Sequence, residues 1–250
     1  MPAHPSYPND SILEALCELR FERVSDALWS KAPAELVRKL SDKLPDMEPV
    51  TETGLELLID KKTGQPVQRV VQGGVKLRFS NEDKSRLVQV SQDLFSFNVI
   101  NNYPDWKEMH DSIIVYWETV SKILYVNRVS RIGLRYINVV PFNKGTQKIS
   151  DWLKPSDYIP PIIKESNHGF SYRIETHPAK DITNIVQIAI RDKQDDKSEL
   201  VFDIDSILIP KFEHNLSNEI TTLHNDNIWE IFKSAIASSY EKYLNTKPDK

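Results

Sequence analysis

At 250 residues, with 36 acidic against 32 basic side chains and a net charge of −4, the chain can bury one large core or two modest ones. Its charge balance is too even to demand a strongly basic or acidic partner. No apolar run reaches the ~18 residues of a membrane span. The opening Met-Pro-Ala-His-Pro-Ser-Tyr-Pro lacks the basic and apolar regions of a secretory signal, so a cytoplasmic protein without membrane contact is expected.

After the proline-punctuated lead-in, Ile12 to Phe21 predicts a strand with Ala15, Cys17, Leu19 and Phe21 inward and Glu14, Glu18 and Arg20 on the opposite face. Cys17, the only cysteine, reads as a core thiol and excludes multi-cysteine metal sites. Ser25-Asp26 offers a helix start, Pro33 suits a first turn, and Leu36, Val37, Leu40 and Leu44 form an apolar stripe that Leu44-Pro45 ends.

A meander follows: Leu55 to Ile59, Val67 to Gln72, Val75 to Phe79, Leu87 to Val90 and Phe95 to Val99, with turns at Gly64–Pro66, Gly73-Gly74 and Asn81 to Lys84. Connections this short allow only antiparallel pairing. From Pro104-Asp105 a long helix sets Trp106, Met109, Ile113, Tyr116, Trp117, Val120 and Leu124 at helical spacing. This aromatic stripe reads as cover for the sheet.

Arg128 to Phe142 predicts a second central strand, with Ile132, Leu134 and Tyr136 facing one way and Arg131, Gly133 and Arg135 the other. A glycine inside a strand marks a bulge or a close approach, and a bulge or packing role is expected of Gly133. A short helical piece at Ile149 to Leu153, a loop from Pro155 to Pro161, and strands at Phe170 to Glu175, Ile185 to Ile190 and Leu200 to Ile204 come next, the last two joined by a charged tip at Arg191 to Ser198. A final helix from about Asn227 puts Ile228, Phe232, Ile236 and Tyr240 on one face, before a frayed tail from Thr246.

The element order repeats. Leu19-Arg20-Phe21 corresponds to Leu134-Arg135-Tyr136, a third such triplet occurs at Leu77 to Phe79, and Trp106 and Trp229 open the two closing helices. The expected fold is α+β: two pseudo-repeated, tightly joined halves, residues 1–127 and 128–250, each an antiparallel sheet with helices on one face.

The polar face then carries Arg20, Lys76, Arg78, Arg131, Arg135, Arg173, Asp203 and Asp205. Stacked sheet to sheet, the halves would make this face a cleft in which Arg131 and Arg135 clamp an anion and Asp203 or Asp205 serves as a base. Otherwise these are cross-strand ion pairs on a solvated face. Asp203-Ile204-Asp205 lacks the third oxygen ligand a divalent ion wants, so no metal is expected. No glycine-rich phosphate loop and no Ser-His-Asp order occur, so neither cofactor nor catalysis is expected. Single-stranded nucleic acid needs aromatics beside cations, yet here the aromatics alternate away from the arginines.

Tyr7-Pro8-Asn9 ahead of Ile12 to Phe21, Arg86 to Val90 with Phe95-Ser96-Phe97-Asn98, Arg131-Ile132-Gly133-Leu134-Arg135-Tyr136-Ile137-Asn138, and Phe202-Asp203-Ile204-Asp205 resemble a sporadically distributed prokaryotic family of about this length. The resemblance implies a full-length family of about this size, patchily distributed and with no established activity, a distribution that suits accessory or defence-linked proteins. The chain departs from that pattern at Asp10-Ser11, where prolines are more usual. The expectation drawn from sequence is therefore a non-enzymatic binding or regulatory module acting through protein contacts as an accessory subunit, with a homodimer as the common default.

Overall fold

The computed structural model describes residues 7–59, 66–155, 171–193, 197–211 and 215–247, with backbone alone for 52–59 and 66–73. The turn at Gly64, residues 156–161 of the proline-rich loop, Phe170, the centre of the charged tip and the last residues of the tail lie outside them.

The protein is α+β, built on one nine-stranded antiparallel sheet. The strands are β1 (Ile12–Phe21), β2 (Asp46–Ile59), β3 (Pro66–Ser80), β4 (Arg86–Val90), β5 (Leu94–Ile100), β6 (Val129–Phe142), β7 (Ser171–Ala179), β8 (Ile182–Asp192) and β9 (Ser198–Leu208). They lie side by side in the order β2-β3-β4-β5-β1-β6-β9-β8-β7. β1 and β6 pair directly at the centre, Ala15 opposite Tyr136 and Cys17 opposite Leu134. The two runs of strands thus join edge to edge, not face to face, and the arginines and aspartates lie on one continuous sheet surface.

The other surface is covered by helices. α1 (Asp26–Trp29) starts at Ser25, whose side chain accepts from the Leu28 N–H, and α2 (Ala32–Leu40) carries Pro33 in its first turn. α3 (Trp106–Leu124) buries Met109, Ile113, Trp117, Val120 and Leu124, one stripe at three- and four-residue steps. It ends at Tyr125, which takes up φ 52° and leaves its ring in solvent. α4 (Ile149–Trp152) buries Trp152. The inward side chains of β1, Ala15, Cys17, Leu19 and Phe21, are buried, as alternation requires.

Three expectations are corrected. Gly73-Gly74 makes no turn: β3 runs through it, and the register slips between Thr51 and Thr53 opposite, so the pair forms a β-bulge. β2 begins at Asp46 and carries Pro49, which an edge strand tolerates because one side of its ladder is unpaired. The C-terminal helix is not single. α5 (Leu216–Thr222) leads into a π-helical segment, Leu223–Trp229, followed by α6 (Glu230–Ala235) and α7 (Ser238–Asn245). The break falls at Ile236, whose extended backbone bridges to Leu153 while the Ala237 N–H donates to the Trp152 carbonyl at 2.8 Å. These strand-like bonds replace those the helix gives up. Ile228, Phe232, Ile236 and Tyr240 are nonetheless all buried.

Candidate functional site

On the polar surface the central strands bring Arg20, Arg131, Arg135, Asp203 and Asp205 together. Glu18 accepts from Arg131 Nη1 at 2.7 Å and from Arg20 Nε at 2.9 Å. Arg135 binds Asp203 with both arms, Nε at 2.8 Å and Nη2 at 2.6 Å. Asp205 lies across the ladder from Arg135. Burial raises its carboxyl more than the positive charges of Arg131 and Arg135 lower it. Two residues stand apart: Arg78, on β3, pairs with Glu48 at 3.2 Å, and Arg173, on the edge strand β7, with Glu175 at 3.2 Å.

The arginines proposed as anion clamps thus already hold carboxylates. Gly133 has a specific part in this. No register shift occurs at it, so it is not a bulge. The Arg131 side chain lies over Gly133 on its way to Glu18, and a Cβ built there would stand at ordinary contact distance, 3.4 Å, from Arg131 Nη1. Among the described residues no group of three or more His, Cys, Asp or Glu side chains could hold a metal ion.

The concave site lies on the opposite surface, where the lead-in, β6, the start of α3 and the π segment meet around a cavity of about 140 Å³. Tyr136 points into it from β6, and its hydroxyl is 3.0 Å from that of Tyr103 and 3.5 Å from Met109 Sδ. Tyr103 is set by a sharp turn in which Asn101 and Asn102 have φ of 52° and 44°. Two successive left-handed residues store strain of the kind that collects at functional sites. The chain then runs through Pro104 to Asp105, which caps α3 by accepting from the Glu108 N–H at 2.8 Å.

π-helical turns are rare and recur at functional sites. This one directs His224 onto Trp106 and places Ile228 and Trp229 along the cavity. It is tied to the sheet by Asn227, whose Oδ1 accepts from Asn184 Nδ2 at 3.1 Å. The fourth wall is the lead-in. Tyr7 stacks on Trp229, and the Asn9 N–H donates to the Leu244 carbonyl at 3.1 Å. Ser11 accepts from Tyr240 at 2.9 Å and donates to Asn138 Oδ1 at 3.0 Å.

Crowding by the surrounding protein pushes the Asp10 carboxyl up to about 6, against the lowering pull of the Ile12 and Ser11 amides, although the residue as a whole is exposed. Tyr103, Tyr136 and Tyr240 are raised by burial and stay neutral. The lining is thus mostly aromatic and aliphatic, the hydroxyls of Tyr103 and Tyr136 are paired with each other, and the carboxyl groups among the described lining residues are those of Asp10 and Asp105.

From sequence Trp106 reads as part of the core cover, and the cavity does not show. Two signals were present. Asn138 sits in the buried phase of β6 beside Tyr136, a polar side chain where the alternation calls for an apolar one. Asp10-Ser11, two polar residues directly ahead of the first apolar strand, falls on the rim. No family model matches the chain, and no curated protein matches it.

Proposed function

We propose that the protein is a non-enzymatic binding module that takes a small ligand in the aromatic cavity beneath its helices and acts as a regulatory subunit through protein contacts. The observation that carries this reading is the cavity itself: about 140 Å³, walled by the Trp106–His224 and Tyr103–Tyr136 pairs, in a site built from segments far apart in the chain. That volume suits one six-membered ring, since apolar cavities of ~150 Å³ bind benzene. Because the ring hydroxyls already satisfy one another, the site is suited to holding a molecule more than to reacting with it.

A duplicated architecture goes with this reading, the halves being 1–127 and 128–250. Its support is topological: in each half a first strand is followed by a meander whose last strand returns beside it, β5 beside β1 and β9 beside β6. Matching Arg20 to Arg135 puts the pseudo-twofold axis at the Glu18–Gly133 pair.

The test is nuclear magnetic resonance with a library of single-ring compounds on the isotope-labelled protein. Ligands that shift the Trp106 and Trp229 indole signals and lose affinity at least tenfold in Trp106→Ala support the proposal. Compounds that shift only signals of the polar sheet surface would replace it with a site at Arg131 and Arg135.

A further inference from the structure

The chemistry of the cavity narrows its ligand, provided that the cavity is a ligand site as proposed above. We infer that it takes a small organic cation, an amine or quaternary ammonium on an apolar or aromatic body, with its charge beside Asp10 and its body against Trp106 and Trp229.

Three observations lead there. The aromatic rings of Tyr7, Tyr103, Trp106, Tyr136 and Trp229 line the cavity, and the π-systems of such rings attract cations. Both carboxylates at the mouth, Asp10 and Asp105, are negative when ionised, and no lysine or arginine is among the described lining residues. Asp10 has the amides of Ile12 and Ser11 for partners and forms no ion pair with a described side chain. A crowded carboxylate without a counter-ion is stabilised by a cation delivered from outside.

The start of α3 also opens here, and a helix N-terminus by itself attracts anions. In this protein that end is discharged by its own residues: Asp105 caps it and Glu108 lies in the first turn. Among the described lining residues an anionic ligand would meet two carboxylates and no basic side chain other than His224, which is stacked on Trp106 with centroids 3.8 Å apart.

The experiment compares benzylammonium, benzyl alcohol and benzoate, three probes of one ring and similar shape, by titration of tryptophan fluorescence at pH 7.5. The expected result is that benzylammonium binds at least tenfold more tightly than either of the others. Asp10→Asn, which can still accept from the Ile12 amide, should erase that preference. Equal binding of benzylammonium and benzyl alcohol, or tightest binding of benzoate, would overturn the cation inference and leave the cavity reading standing. A preference for benzylammonium that survives Asp10→Asn would overturn the role of Asp10. Absence of binding by all three at millimolar concentration would remove the cavity as a ligand site, and the inference with it.

Discussion

The indole of Trp106 lies flat on the imidazole of His224, ring centroids 3.8 Å apart and planes 8° from parallel. Trp106 opens α3 and His224 belongs to the π segment, so one ring pair joins two elements more than a hundred residues apart and forms a wall of the cavity. Stacked aromatic pairs contribute ~0.5–1.5 kcal/mol beyond the area they bury. A double-mutant cycle of Trp106→Ala and His224→Ala, followed by urea unfolding, should therefore give a coupling energy of that size. Strictly additive effects would mean that the π segment is held by Asn227 and its own buried residues alone.

On the polar surface, the Arg135–Asp203 pair should matter more than the Arg173–Glu175 pair. Asp203 keeps only 11% of its side chain exposed and accepts two bonds from Arg135, whereas Arg173 and Glu175 are 52% and 43% exposed. Hydrogen bonds to charged groups contribute ~1.5–3 kcal/mol, and exposed pairs ~0–1 kcal/mol. Asp203→Ala is thus expected to lower stability by ~1.5–3 kcal/mol and Arg173→Ala by less than ~0.5 kcal/mol, read from urea midpoints. Comparable losses would show that position on the sheet does not set the strength of these pairs.

Much of the sheet was legible because its cause is local. In β1 and β6, apolar residues recur at every second position from Ala15 to Phe21 and from Ile132 to Tyr136, and the inward sets Ala15, Cys17, Leu19 and Ile132, Leu134, Tyr136 are all buried. What could not be read locally was partnership. β1 pairs with β6 across more than a hundred residues, and that pairing decides that the halves share one sheet. The cavity was hidden for the same reason. Tyr7, Tyr103, Tyr136 and His224 each look like ordinary core or loop residues in their own segment, and only the packing of four segments makes them one site. The break at Ile236 has no glycine or proline to announce it; it depends on the waiting backbone of Leu153.

Gly133 offers a test in which a central-strand substitution should improve stability. A Cβ there would sit at ordinary contact distance from the flexible end of Arg131, and the backbone has no left-handed torsion to protect. Replacing glycine by alanine where the native conformation permits it gains ~0.4–1 kcal/mol through the unfolded chain. Gly133→Ala should accordingly raise the urea midpoint, while Gly133→Leu should lower it by pushing the Arg131 guanidinium off Glu18. A loss in Gly133→Ala would show that the glycine serves a tighter approach than that of Arg131.

Asp10 should give the protein an unusual pH dependence. Its carboxyl titrates near 6 in the folded chain and near ~3.9 when unfolded, so between these values the folded state binds more protons than the unfolded state. Stability from this group is therefore gained as pH falls through that window and lost as pH rises through it. The lowered carboxylates of Asp26, Asp111, Asp192 and Glu199 act in the opposite sense, but they are common to the unmodified protein and to Asp10→Asn and cancel in the comparison. The groups coupled to Asp10, Tyr103, Tyr136 and Tyr240, are neutral throughout, because burial has raised all three phenols. Asp10→Asn should thus gain stability relative to the unmodified protein as pH rises from 4 to 7, with the change centred between ~4 and 6, in urea unfolding across that range. Parallel profiles would show that Asp10 is solvated as freely as a surface carboxylate and that the cavity mouth carries its full negative charge well below pH 6.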